Sequence, residues 1–342
     1  MKKFFLMMFL MSAFIFGGCN SQAAPARDVK GDLKISMLNV GHGDAILIQT
    51  KEQTILIDTA LPDKHDVIVK ELEKFSVTKI DKLILTHPHG DHIGGAAMLI
   101  HPNKKQLNEF PYLQKISVAE VYDNGVVYGS GIYKNYLKAV DASGITHQSL
   151  KRGDALDFGD GVKFNVIFPT AQLISEANSG KFDPKVDRQY RLNNTSIVGK
   201  LTYKNFSMMF TGDAEKEAEA TVLSENAAKD LKCDVLKAGH HGSAASSIKD
   251  FVAAVNPECI LISTAEKEQE GKVSSGHPHL KVLETYLECG VNPKNIFCTR
   301  WNGTITLTSD GQNFSVQPEI KVDWFESWVA GKKADTAKKS RT

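Results

Sequence analysis

Four potential metal ligands fall within six residues of the segment Leu85-Thr-His87-Pro-His89-Gly-Asp91-His92-Ile-Gly-Gly95. The run follows directly on Lys82-Leu-Ile-Leu-Thr86, a short apolar segment that reads as a buried strand. The chain has 11 His in 342 residues, so three of them beside one Asp is a concentration that composition does not explain. Imidazole and carboxylate together suit a divalent transition metal such as zinc or manganese. Alternation at His87 and His89, then adjacency at Asp91 and His92, lets a strand-end loop aim two ligands at each of two metals.

The rest of the chain reads as strands alternating with helices, without an internal repeat. Strand-like runs cover Lys34 to Val40, Asp44 to Gln49 and Thr54 to Asp58, and Val67 to Phe75 has helical spacing of apolar residues. Ser207-Met-Met-Phe-Thr211 leads through Gly-Asp213 into the acidic segment Ala214 to Ser224, whose charges at Glu215 to Glu219 read as a solvated face. Asp234-Val-Leu-Lys-Ala238 leads into Gly-His240-His241-Gly. Then follow a strand Cys259 to Ser263, a helix His279 to Cys289 and a hairpin through Trp301-Asn-Gly-Thr304. The class is α/β with substantial sheet.

The His-x-His-x-Asp-His run resembles the signature of the metallo-β-lactamase superfamily, and the resemblance implies a four-layer αββα sandwich with a mono- or binuclear metal site. Asp58, Asp213 and His241 match further superfamily positions in order, over roughly residues 33–316. Within the superfamily the chain is similar to the hydrolase domain of ComEC-type competence proteins. The matching passages are Leu38-Asn-Val-Gly-His-Gly-Asp44-Ala, Lys237-Ala-Gly-His-His-Gly-Ser243, Gly276-His-Pro278 and Thr299-Arg-Trp-Asn-Gly-Thr304. Asn39 and His42 stand where that family usually has Asp and Gln. The resemblance implies His87 and His89 on a first metal, Asp91, His92 and His241 on a second, and Asp213 bridging them. It places Asp58 behind a ligand histidine. Asn193 is a weak ligand, a substrate-positioning group or a plain turn residue. His240 and His277 are candidates to contact a phosphate or protonate a leaving oxygen, and His42 to approach the site. The implied cofactor is two divalent ions, zinc first, with manganese and iron as alternatives, activating water to hydroxide.

Lys2 and Lys3, the apolar run Phe4 to Phe16 and Gly17-Gly18-Cys19 describe a secretory signal. Cys19 resembles the acylated cysteine of bacterial lipoproteins, which implies a lipid anchor outside the cytoplasm. The expected organisation is a signal at 1–18, a lipidated Cys19 with a tether to 32, one domain over 33–316, and a tail over 317–342 whose Lys-rich end is disordered. In an exported chain Cys233, Cys259, Cys289 and Cys298 are either disulfides or buried thiols.

These features point to an extracytoplasmic metal-dependent phosphodiesterase or nuclease, read as a monomer. The alternatives are another hydrolase of the superfamily, acting on a cell-wall choline phosphodiester, lactone, thioester or lactam, or a binding module that kept the fold. A net charge of +1 excludes a binder that relies on a strongly basic surface, and leaves Lys237 and Lys249 as phosphate contacts if DNA is the substrate. The tyrosine-rich segment 102–136 either stacks on bases, boxes a choline ammonium or packs on the core.

Overall fold

The computed structural model describes residues 29–265 and 276–339, with backbone alone from 334. The signal peptide, Cys19 and the tether up to residue 28 lie outside the described residues. In chain order the strands are β1 Leu33–Met37, β2 Ile46–Gln49, β3 Thr54–Ile57, β4 Lys79–Ile84, β5 Ser117–Asp123, β6 Thr146–Ser149, β7 Ala155–Asp157 and β8 Val162–Phe168. They continue as β9 Val198–Tyr203, β10 Phe206–Phe210, β11 Val235–Lys237, β12 Cys259–Ile262, β13 Ile296–Cys298, β14 Ile305–Ser309 and β15 Phe314–Pro318. Among the described residues they form an eight-stranded sheet, β15-β14-β1-β2-β3-β4-β5-β6, and a seven-stranded sheet, β13-β12-β11-β10-β9-β8-β7.

The side-chain period of two dictates the layers. Ile46 and Ile48 of β2, Ile55 and Ile57 of β3, Met208 and Phe210 of β10 and Leu261 of β12 share one core between the two sheets. Their neighbours Leu47 and Leu56 face outward onto a second core with Ile68, Leu72, Tyr133 and Tyr136 of the helices His65–Lys74 and Gly131–Ser143. Met209, Leu236 and Ile260 face a third core with Val222, Phe251, Leu283 and Tyr286 of the helices Lys216–Glu225, Lys249–Val255 and Leu280–Glu288. Strands apolar on both faces must be covered twice, and the result is the expected four-layer αββα sandwich. β3, β4 and β5 run parallel, as do β10, β11 and β12. Their carboxyl ends carry Asp58, the histidine run, Asp213 and the His240-His241 pair, which is where open α/β sheets place their sites.

One expectation is corrected near the C-terminus. Trp301-Asn-Gly-Thr304 is not a hairpin turn. Thr299–Asn302 is a helical turn that carries the chain from the edge of the second sheet into the first. Asn302 fixes this crossing, its Oδ1 accepting from Cys298 N at 3.0 Å and its Nδ2 donating to Ile320 O at 3.1 Å. The hairpin is β14–β15, turned at Gly311 with φ of 88°. Past residue 316, β15 runs on to Pro318 and a helix spans Phe325–Lys339. The cause is aromatic: Trp324 is buried and stacks on Trp301, ring centroids 4.0 Å apart and planes 7° apart, with the Trp328 edge against them. Among the described residues Cys233, Cys259, Cys289 and Cys298 are free thiols. Burial pushes the Cys233 thiol up to about 11 and that of Cys298 up to about 12.

Trp324→Ala should cost about 3 kcal/mol of unfolding free energy, as other large aromatic truncations do. Urea unfolding followed by circular dichroism reads the change; an unaltered midpoint would show residues beyond 316 to be dispensable.

Candidate metal centre

The site begins with a carboxylate clamp. Asp58 follows β3 with φ of 62°, and its side chain is fully buried. Its Oδ1 accepts from Thr86 N, and its Oδ2 from Thr86 Oγ1 and His92 Nδ1, each at 2.7 Å. The clamp ties the loop after β4 to the end of β3 and leaves His92 Nε2 facing inward. Gly43 approaches the same loop so closely that a Cβ there would lie 2.3 Å from Asp91 O. After β10, Asp213 N donates to Ser196 Oγ at 3.1 Å. After β11, His240 and His241 both take positive φ, 43° and 54°, which turns their rings to the same cluster. His241 Nδ1 donates to Ser263 O at 2.9 Å, so its Nε2 also faces inward.

These side chains converge on Asp213. Its Oδ2 lies 3.2 Å from His92 Nε2, 3.4 Å from His241 Nε2, 3.8 Å from His240 Nε2 and 4.0 Å from His87 Nε2. Asp91 Oδ2 is 3.5 Å from His241 Nε2 and 3.8 Å from His92 Nε2. Asp91, His92, Asp213 and His241 offer ligand atoms that all lie within 4.8 Å of one another. His87 Nε2 and His89 Nδ1 meet at 2.9 Å beside them. Among the described residues, the buried atoms His92 Nε2, His241 Nε2 and Asp213 Oδ1 have no hydrogen-bond partner. Each such atom costs about 1–3 kcal/mol when left unpaired. Two inward-facing imidazole nitrogens, whose protons a metal can displace, and two carboxylates around one point fit a divalent cation.

The electrostatics differ across the cluster. Burial opposes charge on His92 and His241, but Asp213 and the other surrounding carboxylates outweigh it and hold both imidazoles well above the usual histidine range. Burial and the neighbouring His92 keep His87 well below it, and burial lowers His89. Asp91 and Asp213 stay well below the carboxylate range: burial pushes them up, and the adjacent imidazoles bring them down further.

Around this centre lie His240, His277, Asn193 and His42. His240 Nδ1 is 3.2 Å from Glu215 Oε1, and Asn193 Nδ2 donates to the same oxygen at 3.1 Å. His277 is buried with Nδ1 unpaired among the described residues, its ring 5.3 Å from that of His240 and 6.2 Å from that of His241. Burial and the surrounding imidazoles lower it to about 2. His42 Nε2 lies 3.3 Å from Asp91 Oδ2.

Several expectations fail here. Glu215 and Glu219 are buried, not on a solvated face: Glu215 holds His240, and Glu219 accepts from Ser247 N and Ile248 N at 2.7 and 2.8 Å. Burial raises Glu219 to about 8. Lys237 is buried and paired with Asp44, so it is not a free phosphate contact, whereas Lys249 is exposed in a surface pair with Glu288. Asp44, Lys237 and Glu215 are the site residues that sequence reasoning missed. Asp44 and Lys237 did appear in the matching passages, which was the available signal.

Residues 38–264 match the metallo-beta-lactamase superfamily model. The chain is 30% identical over 307 residues to ComE operon protein 3 of Bacillus subtilis (strain 168), covering 83% of this chain and 34% of that one. It is 24% identical over 236 residues to competence protein ComA of Neisseria gonorrhoeae, covering 69% of this chain and 27% of that one. The chain thus spans about a quarter to a third of the length of these relatives. Among solved structures, the metallo-beta-lactamase fold protein YhfI from Bacillus subtilis is similar at 14% identity and a TM-score of 0.42, over 67% of this chain and 85% of that one. The chain belongs to the metallo-β-lactamase superfamily, whose members are generally metal-dependent hydrolases, and it is related to competence proteins.

Because His92 and His241 hold protons that an entering cation must displace, zinc affinity should fall as pH drops from 8 to 6. Calorimetric titration in buffers of different ionisation enthalpy counts the protons released; a count of zero at pH 7 contradicts the ligand assignment. His92→Ala or His241→Ala should lower the bound metal measured by elemental analysis, while His101→Ala, at an exposed position, should not.

Proposed function

We propose that this metallo-β-lactamase-superfamily protein is an extracytoplasmic phosphodiesterase, held to a membrane through a lipid on Cys19, with polynucleotides among its substrates. The observation that carries the reading is the ring of imidazole and amide groups around the metal cluster. Among the described residues His277 Nδ1 and Asn193 Oδ1 are buried without partners, and His240 and His42 stand beside them. A phosphoryl group spreads its charge over several oxygens and needs several such polar contacts at once.

When bound, divalent ions at Asp91, His92, Asp213 and His241, with His87 and His89 alongside, supply Lewis acidity toward phosphoryl oxygens and lower the pKa of water. Asp58 fixes the His92 tautomer by accepting from Nδ1. Glu215 orients the His240 ring, whose Nε2 points toward Asp213 and so toward the reacting group. That nitrogen is the group placed to hand a proton to a leaving oxygen. Burial and the surrounding imidazoles favour the neutral ring of His277, which suits it to orient a phosphoryl oxygen.

Two loops beside the site support a polymeric substrate. Residues 181–191 expose Lys181, Lys185 and Arg188, with Asp183 and Asp187 among them, together with Phe182 and Val186, while Arg191 lies against Glu215. The neighbouring loop exposes Val127 and Tyr128, and Asn178 ties it to the helix Ala171–Asn178 by accepting from Val127 N and donating to Gly125 O. A choline cage needs several aromatic faces. Of the tyrosines in segment 102–136, Tyr122, Tyr133 and Tyr136 are buried in the core and Tyr128 alone stands beside His89, at 6.3 Å.

With added zinc or manganese, purified protein should cleave an activated phosphodiester, and Asp213→Ala should abolish turnover. Lys185→Glu with Arg188→Glu should reduce cleavage of single-stranded DNA while sparing the small substrate, and should flatten the salt dependence. Hydrolysis of a chromogenic cephalosporin without action on any phosphodiester overturns the reading. Cys19→Ser should move the protein from the membrane to the soluble fraction; a wild type already soluble removes the anchor.

A further inference from the structure

We propose that Lys237 and Asp44 act as a buried positioning couple for the metal centre, the ammonium orienting Asp213 and the carboxylate setting the charge behind His92 and His241. The inference rests on the reading that Asp91, His92, Asp213 and His241 hold a metal.

Lys237 is the last residue of β11 in the second sheet, and its side chain is 1% exposed. Its Nζ lies 2.5 Å from Asp44 Oδ2, donates to Gly212 O at 2.7 Å and stands 3.8 Å from Asp213 Oδ1. An ammonium has three donors and no acceptor, so all of its contacts here are to oxygen. The bond to Gly212 O holds the peptide that precedes Asp213. With Oδ1 facing the ammonium, Oδ2 is the oxygen left among the imidazole nitrogens of His87, His92, His240 and His241.

Asp44 comes from the first sheet, in the connection between β1 and β2. Its backbone is pinned on both sides: Asp44 N donates to Asp91 O at 3.2 Å and Ala60 N donates to Asp44 O at 2.9 Å. Its carboxylate lies behind both metal-facing rings, Oδ1 3.5 Å from His241 Nδ1 and Oδ2 4.0 Å from His92 Nδ1. Those nitrogens already have shorter partners in Ser263 O and Asp58. Asp44 therefore acts on the rings by charge, making their inward nitrogens better donors to a cation. The couple spans the two sheets at the one place where ligands from both must meet.

Stability gives no reason for such a pair. Taking two charges out of water costs about as much as their attraction returns, and well-packed neutral side chains of similar volume serve a core as well or better. The site is what the couple serves.

The test measures zinc and manganese affinity by chelator competition, and separately the melting midpoint of metal-free protein. The variants are Lys237→Met, Asp44→Asn, the double substitution, and His241→Ala as the ligand control. Lys237→Met alone strands a buried carboxylate and should lower the metal-free midpoint. The double variant should regain that midpoint yet bind both metals about 10–100-fold more weakly than wild type. Wild-type affinity in the double variant overturns the inference, as does a weakening that only tracks the lost midpoint. If wild type binds neither metal and His241→Ala changes nothing, the metal reading fails first and this inference falls with it.

Discussion

The structure depends on gathering carboxylates where water is scarce. Asp44, Asp58 and Asp213 are buried and Asp91 is partly so, all within one cluster. Such a density of like charge is tolerated only with cations between the oxygens. The chain supplies some of that charge itself: Lys237 on Asp44, and imidazolium character at His92 and His241. A divalent ion would take the place of those protons and satisfy the nitrogen and oxygen atoms that the protein leaves unpaired.

The two sheets make this gathering possible. The first contributes Asp44, Asp58 and the 87–92 run; the second contributes Asp213, Lys237 and the His240-His241 pair. Parallel strands end together, so residues far apart in sequence arrive at one edge of the sandwich. Positive φ at Asp58, His240 and His241 marks where the backbone bends sharply to aim side chains inward. That strain is held by the core beneath, where Ile57, Ile84, Phe210 and Val235 are buried in a single cluster.

The candidate ligand run was legible because its residues are contiguous and chemically unusual, directly after an apolar strand. The four-layer fold was legible through the motif resemblance, and the strand runs agreed with it. Lys237 was misread because a lysine ending a strand looks solvent-facing; its partner Asp44 lies on the other sheet, and no local pattern pairs them. Glu215 and Glu219 sit in a charge-rich segment that resembles any exposed helix, and only the loops packed over them show that they serve His240 and the 247–248 turn. The packing of the segment around Trp324 was hidden for a similar reason. Trp324 and Trp328 find Trp301 across the fold, and the Lys-rich end after them dominated the local composition.

The central claim is that side chains from both sheets share a metal ion. Crystals of zinc-loaded protein, with diffraction recorded on either side of the zinc absorption edge, test it most directly. The account predicts an anomalous peak about 2.0–2.2 Å from His92 Nε2, His241 Nε2 and an oxygen of Asp213. A peak confined to surface histidines, or none with His92 bonded directly to Asp213, would contradict it.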